Sequence, residues 1–473
     1  MPTDRVGTAW PVGLLLGGLL ILSGGVGPLE PATHWTDQSP SGQEHEEVRA
    51  DTVSAHGAHE GHHPAPPMPR EETFSGREWV VGPDGDETTI TAALARAEDG
   101  DRIRVQSGVY TETPILVDRS VELIGEDWPI IDGQGEGSLL RVEADDVRIQ
   151  GFVLRGTGVS HVRDHSAILV EEKSRCRIEG NRLEDTFFGI YLARATDCLV
   201  RGNQLRASGT RESNSGNGIH LWDVDRVQLE DNHIEGHRDG IYLEFARGAV
   251  IRGNTSEGNI RYGLHFMFSD ASFYVNNTFR RNGAGVAVMY SREVVMSRNR
   301  FLDNWGSASY GLLLKEVQDS RIDENLFRGN TIAIHSEGTD RLTFRLNRLE
   351  RNGWAIKILA NSQENLFESN DFVDNTFDVI TNSRQNPNTF HGNYWSQYRG
   401  YDLSGDGRGD LPHRPVRLFS FIVERKPVAL ILLRSFFVEI LEVAERVLPV
   451  LTPEALVDES PLMKALTGDE PWA

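Results

Sequence analysis

The sequence predicts an all-β solenoid, a right-handed parallel β-helix of about 10–12 coils followed by C-terminal amphipathic helices. Three observations carry this. A phrase recurs along the chain: GIYLARATDCLVRGN from Gly189, GIHLWDVDRVQLEDN from Gly218, GIYLEFARGAVIRGN from Gly240 and GLHFMFSDASFYVNN from Gly263, with later copies from Gly285, Gly311, Ala333 and Ala355. A row of asparagines marks the same turn of each copy: Asn181, Asn203, Asn232, Asn254, Asn277, Asn299, Asn325, Asn347, Asn370 and Asn393, spaced by 22 to 29 residues. Within each copy apolar residues alternate, as with Ile190 and Leu192 on one side of Tyr191. Three short strands per repeat wind a triangular coil whose strands pair in parallel with the next coil. Asparagine tolerates left-handed backbone at the turn, and its amides can hydrogen-bond along the axis. Right-handed winding follows the general rule for parallel crossovers.

The elements follow in order. Residues 1–30 carry Arg5 and the apolar run Pro11 to Val26, the pattern of a signal peptide or N-terminal anchor, which places the body outside the cytoplasm, periplasmic or extracytoplasmic. Residues 31–75 are a linker without apolar periodicity, expected to be disordered. It holds His56, His59, His62 and His63, then Met68, ligand types suited to copper. Residues 76–396 form the predicted β-helix. It opens with a short helical pattern at Thr89 to Ala97 and the strand-like pieces DRIRVQSGVY, PILVDRSVELIGED and PIIDGQG. Residues 397–415 are a Gly- and Asp-rich loop. Residues 416–473 read as amphipathic helices broken near Pro427, with a tail. Arg434, Glu439, Glu442 and Glu445 interrupt the apolar run and make it a poor membrane span.

A formal net charge of −22, from 70 acidic against 48 basic residues, argues against nucleic acid as partner. Two cysteines cannot make a disulfide framework. Cys176 and Cys198 each stand five residues before a row asparagine, so they take equivalent inward places on adjacent coils. Buried thiols, a disulfide and a metal–thiolate pair are the readings, with core filler favoured because parallel side-chain vectors would strain the bond.

The outward residues of the phrase make a row of their own: Tyr191, His220, Tyr242, His265 and Ala287, with Trp222, Glu244, Met267 and Met289 beside them. This strip is expected to be exposed. A face covered by a loop or helix, a sugar-stacking groove, and a soft-metal or protein docking surface are the alternatives. His265 and Met267 lie two apart on one strand, face the same side, and suit a shared Cu(I) ion. In the loop, Asp402, Ser404, Asp406 and Asp410 with intervening glycines suit Ca²⁺, although the twelfth position is His413 rather than Glu. Asp223, Asp225, Asp239 and Glu244 are the nearest approach to a carboxylate cluster, without a convincing acid–base pair; Asp223 and Asp225 read as turn residues.

The opening pattern GDRIRVQSGVY…ELIGED…IIDGQG resembles the β-helix superfamily of carbohydrate-binding proteins and sugar hydrolases. More specifically, RYGLHFMFSD (Arg261 to Asp270), NYWSQYRGYDLSGDGRGDLPHRPVRLFSF (Asn393 to Phe421) and the ILLRS…AERVLPVLTP tail resemble the NosD family. That resemblance implies a periplasmic, non-catalytic accessory subunit of an ABC-type complex, working with its membrane permease and ATPase. It implies handling of copper, sulfur or both for the copper–sulfur centre of nitrous oxide reductase, with a copper chaperone as a further partner. On this reading His265 and Met267 are the first candidates for a transient Cu(I), Met289 and His220 the next. Leu418, Phe419, Phe421, Leu432, Phe436 and Phe437 are candidates for partner docking, since such apolar surface should be buried. The competing class is a secreted carbohydrate-active enzyme: polysaccharide lyase, epimerase or hydrolase.

Overall fold

The computed structural model describes residues 76–160, 163–307, 309–383, 386–447 and 456–466; the leader, the linker and its histidines lie outside them. The chain winds through three parallel sheets in turn. Sheet 1 has 14 strands, from Glu78–Val81 to Thr389–His391; sheet 2 has 13, from Val109–Tyr110 to Tyr394–Trp395; sheet 3 has 12, from Ile115–Val117 to Phe377–Thr381. Each strand pairs with its counterpart one coil away, as Ile178 with Val200 and Leu183 with Leu205. The parallel solenoid is as expected, but it has about fourteen turns rather than 10–12. The extra coils precede Asn181 and lack the row asparagine. Two of them turn at glycine instead: a Cβ on Gly125 would stand 2.5 Å from the Gly151 carbonyl oxygen.

The first coil is covered by helix α1 (Ile90–Arg96), which Thr89 caps by accepting from the Ala92 N–H at 3.2 Å. Inside the coil the apolar residues of all three sheets merge into one core. It changes character along the axis. Ile178, Val200, Leu229 and Ile251 give way on the same sheet to Phe344, Phe367 and Phe390, stacked at 4.3 and 4.5 Å. On sheet 2 the Phe301 and Phe327 rings stack at 4.4 Å.

At the turn from sheet 1 to sheet 2 the asparagine row is a buried ladder. Asn254 shows the unit: its Oδ1 accepts from the Asn232 N–H and Nδ2, while its own N–H and Nδ2 donate to Asn277 Oδ1 and its Nδ2 also to Leu229 O, all at 2.9–3.1 Å. These bonds satisfy polar groups that would otherwise be stranded in the core. A second ladder, Asn259, Asn282, Asn304, Asn330, Asn352 and Asn375, fills the turn from sheet 2 to sheet 3. The first ladder ends on the buried carboxylate of Asp458, which accepts from the Gly392 and Asn393 N–H groups, Asn393 Nδ2 and Trp395 Nε1. The tail thereby returns to the end of the solenoid, bridging Phe390 with Asp458 and Tyr394 with Leu462.

Helix α2 (Leu418–Arg425), a 3₁₀ turn at Pro427–Leu432 and helix α3 (Phe436–Val447) follow the last coil. Phe419 and Val423 of α2 and Val438 of α3 pack with Phe377, the first residue of the last sheet 3 strand. Phe419 and Phe421 are buried, so they are not free for a partner: their own chain supplies the apolar surface that the sequence pattern leaves open. Leu432, Phe436 and Phe437 stay exposed, in the company of Val428, Ile431, Ile440, Val443 and Val447.

Candidate functional site

The outer face of sheet 3 carries the predicted row in register: Tyr191 beside His220, His220 beside Tyr242, Tyr242 beside His265, His265 beside Ala287. Ring centroids follow one another at 4.5, 4.8 and 5.0 Å. The expected exposure is not found. His265 is 7% exposed, Ala287 is fully buried, and Tyr191, His220 and Tyr242 are half-buried. The spacing of 29 between Asn203 and Asn232 explains part of this, because the added residues form an excursion through 207–217 beside the row. Its buried Asn217 donates from Nδ2 toward His220 Nδ1 at 3.1 Å and accepts at Oδ1 from Arg238. Burial and the Arg238 charge lower the His220 pKa to about 3, so the ring is neutral.

His265 is placed differently. Neither ring nitrogen has a hydrogen-bond partner, and both are shielded from water. The rings of Tyr242 and Tyr262 flank it at 5.0 and 4.8 Å. Asp239 Oδ2 stands 3.9 Å from Nδ1. That carboxylate is wholly buried, clamped through both oxygens by the Arg261 guanidinium, and accepts from the Tyr262 N–H at 3.3 Å. Burial works to raise its pKa, but Arg261 and His265 hold it below the ordinary carboxylate value.

Met267 follows on the same strand and pairs in register with Met289 on the next coil; both are half-buried. The Tyr242 hydroxyl lies 3.8 Å from Met267 Sδ and 3.2 Å from Glu244 Oε2. One imidazole with an unused lone pair beside two thioethers makes a soft donor set, suited to Cu(I) rather than to a hard cation. Among the described residues, no three His, Cys, Asp or Glu side chains converge on a metal position.

Next to the methionines, at successive corners with left-handed backbone, stand Phe245, Phe268 and Tyr290, at φ 56°, 48° and 54°. Their rings stack nearly parallel at 5.4 and 5.0 Å and are 48%, 43% and 42% exposed. The sequence reading did not include them, although each stands five residues after the glycine of its phrase.

The other candidates lie apart. In the Gly-rich loop, Asp402 accepts from the Gly405 and Gly407 N–H groups and from Ser404 Oγ, Asp406 from the Arg408 N–H, and Asp410 from the Leu403 N–H. These carboxylates are engaged in building the loop itself. Cys176 and Cys198 are buried free thiols on adjacent coils, with the Cys176 N–H donating to Cys198 Sγ at 3.3 Å. Asp223 occupies a corner at φ 52°, and Asp225 pairs with Arg226.

Residues 206–400, which include this whole row from His220 onward, match the family model described as periplasmic copper-binding protein (NosD). The chain is 30% identical over 399 residues to the probable ABC transporter binding protein NosD of Stutzerimonas stutzeri, covering 80% of this chain and 90% of that one. It is 29% identical over 401 residues to the protein of the same description from Pseudomonas aeruginosa, covering 79% and 92%. Among solved structures, the mannuronan C-5 epimerase AlgE6 A-module of Azotobacter vinelandii superposes with a TM-score of 0.56 at 13% identity, over 65% of this chain and 94% of that one, a likeness of fold alone. With relatives of this identity matched over nearly their full length, the chain belongs to the NosD family of periplasmic proteins.

Proposed function

We propose that the protein is the periplasmic accessory subunit of an ABC-type complex and carries Cu(I) as cargo for the copper–sulfur centre of nitrous oxide reductase. The observation that carries this reading is His265: a buried imidazole with no hydrogen-bond partner on either nitrogen, beside the paired thioethers of Met267 and Met289. Buried polar groups are normally paired, and an unpaired one calls for an explanation. A soft ion held by His265, Met267 and Met289 supplies one.

The family model's description and the relatives' names support the copper and the ABC-type complex respectively. The exposed apolar side of α3 and the preceding turn, with Ile431 at 86% and Phe436 at 74% exposure, provides a surface for the complex's permease, whose ATPase partner lies across the membrane. Copper reaches the row from a donor protein, and the exposed Phe245, Phe268 and Tyr290 stack provides a platform for that encounter.

The test is competition for Cu(I) against a chromophoric chelator under anaerobic conditions. The wild-type chain is expected to take one equivalent into the row, and His265→Ala with Met267→Ala to lose it. A double variant that competes as well as wild type overturns the assigned site. A chain that takes no Cu(I) and instead acts on uronate polymers would favour a carbohydrate-active function.

A further inference from the structure

Two histidines of the row, His220 and His265, differ in the side chain that faces them, and the difference is chemical. His220 faces Asn217, and His265 faces Asp239. Asn217 is fully buried, and its Oδ1 is held by the Arg238 guanidinium at 3.3 Å from Nε and 3.1 Å from Nη2. A guanidinium can only donate, so the oxygen end of the amide is fixed toward Arg238 and the NH₂ end toward His220. An NH₂ group can also only donate. His220 Nδ1 therefore accepts, and the proton of the neutral ring sits on Nε2. Asp239 is the converse. Its carboxylate is held by Arg261 and the Tyr262 N–H, groups that stabilise it as an anion, and an anionic carboxylate can only accept. Its Oδ2 stands 3.9 Å from His265 Nδ1, beyond hydrogen-bond distance, and the negative charge there draws the ring proton to that nitrogen.

We infer that Asn217 and Asp239 set opposite tautomers on His220 and His265, so that of these two rings only His265 offers a free lone pair, at Nε2. This deepens the copper reading and rests on it for its function. His265 is then the ligand and His220 a member of the aromatic stack, despite their equivalent places in the repeat. Asp239 is a positioning residue: it touches no cargo, and acts by holding the His265 proton away from the coordinating nitrogen, as outer-shell carboxylates do for metal-bound histidines. Arg261 is part of the device, because it fixes which end of residue 239 faces the imidazole.

That last point makes the exchange of a single atom informative. In Asp239→Asn the guanidinium of Arg261 claims the amide oxygen, as Arg238 does at Asn217. The amide NH₂ then faces His265 Nδ1, and the ring must move its proton to Nε2. In Asn217→Asp the opposite change frees His220 Nε2.

The experiment is two-bond ¹H–¹⁵N correlation of histidine side chains in the metal-free, ¹⁵N-labelled full chain at pH 8, assigned with His220→Gln and His265→Gln. The expected result is an Nε2–H signature for His220 and an Nδ1–H signature for His265, with His265 switching in Asp239→Asn and His220 switching in Asn217→Asp. Cu(I) competition on the same samples should show about a 10- to 100-fold weaker affinity in Asp239→Asn. Both rings in one tautomer, or His265 unchanged by Asp239→Asn, overturns the inference and leaves the copper reading standing. Opposite tautomers together with undiminished Cu(I) affinity in His265→Gln would sustain the tautomer assignment and remove the copper reading. If Asp239→Asn unfolds, Arg261→Gln tests the same point, because loss of the clamp should mix the His265 tautomers.

Discussion

The asparagine ladder inside the first turn and the histidine row outside sheet 3 follow the same coil period and share no other property. In the ladder every amide from Asn181 to Asn370 donates to the asparagine of the next coil and accepts from the coil before, with a backbone carbonyl as second acceptor for its Nδ2. In the outer row His265 and His335 have no partner on either ring nitrogen. The amides of the ladder are completed by their own repeat, whereas the imidazoles of His265 and His335 are left incomplete. Stability should therefore respond to the ladder and binding to the row.

The sharpest way to break this contrast is Asn277→Ala. It strands the Asn254 N–H, removes one acceptor of Asn254 Nδ2 and the side-chain donor to the Ile251 carbonyl, and should destabilise the chain by about 2–4 kcal/mol in denaturant unfolding. A loss under about 1 kcal/mol would show that the ladder is ornamental.

Next in size is the carboxyl of Asp378, at the end of the row's own sheet. It is buried beneath α2 with the amide of Asn375 at 3.4 Å, and burial pushes its pKa up to about 7 although Arg417 opposes the shift. A carboxyl whose folded pKa is raised favours the folded state most below its unfolded value of 3.8. That advantage is lost as pH rises through about 7. Asp378→Asn should therefore be near neutral at pH 4 and stabilise by up to roughly 4 kcal/mol at pH 8, read from unfolding midpoints at the two pH values. Equal effects at both would place the carboxyl in water.

Smaller still, Phe268→Asn should change stability by less than about 1 kcal/mol, because loss of exposed stacking is offset by a residue better suited to φ 48°. Comparable in size, His265→Gln should cost no more than about 1 kcal/mol in unfolding while abolishing Cu(I) uptake, since the ring makes no hydrogen bond and what is lost is its contact with the Tyr242 and Tyr262 rings. A large loss of stability there would move His265 to the structural side of the comparison.

The ladder and the parallel coils were legible because one residue type repeats at one period. The second ladder stands five residues after the first, Asn259 after Asn254 and Asn282 after Asn277, and carries the same signal, which the reading of the first row does not reach. The alignment of Tyr191, His220, Tyr242 and His265 was legible for the same reason. Their burial was not, because the excursion through 207–217 breaks the period and brings in Asn217. The pairing of His265 with Asp239 was hidden as well: it joins neighbouring coils off the register of the row, and alternation says only which side a residue faces. Phe419 shows the converse limit. Amphipathic spacing marks apolar surface that must be covered, and the last strand of sheet 3 covers it before any partner does.

Asp458 at the end of the first ladder has an electrostatic consequence. Ten side-chain amides, from Asn181 to Asn393, stand in series with their N–H ends directed toward the C-terminal coil. Their dipoles add as those of a helix do, with the positive pole at the last coil. The chain sets a negative charge there, so the tail acts as the counterion that terminates a one-dimensional stack of oriented amides.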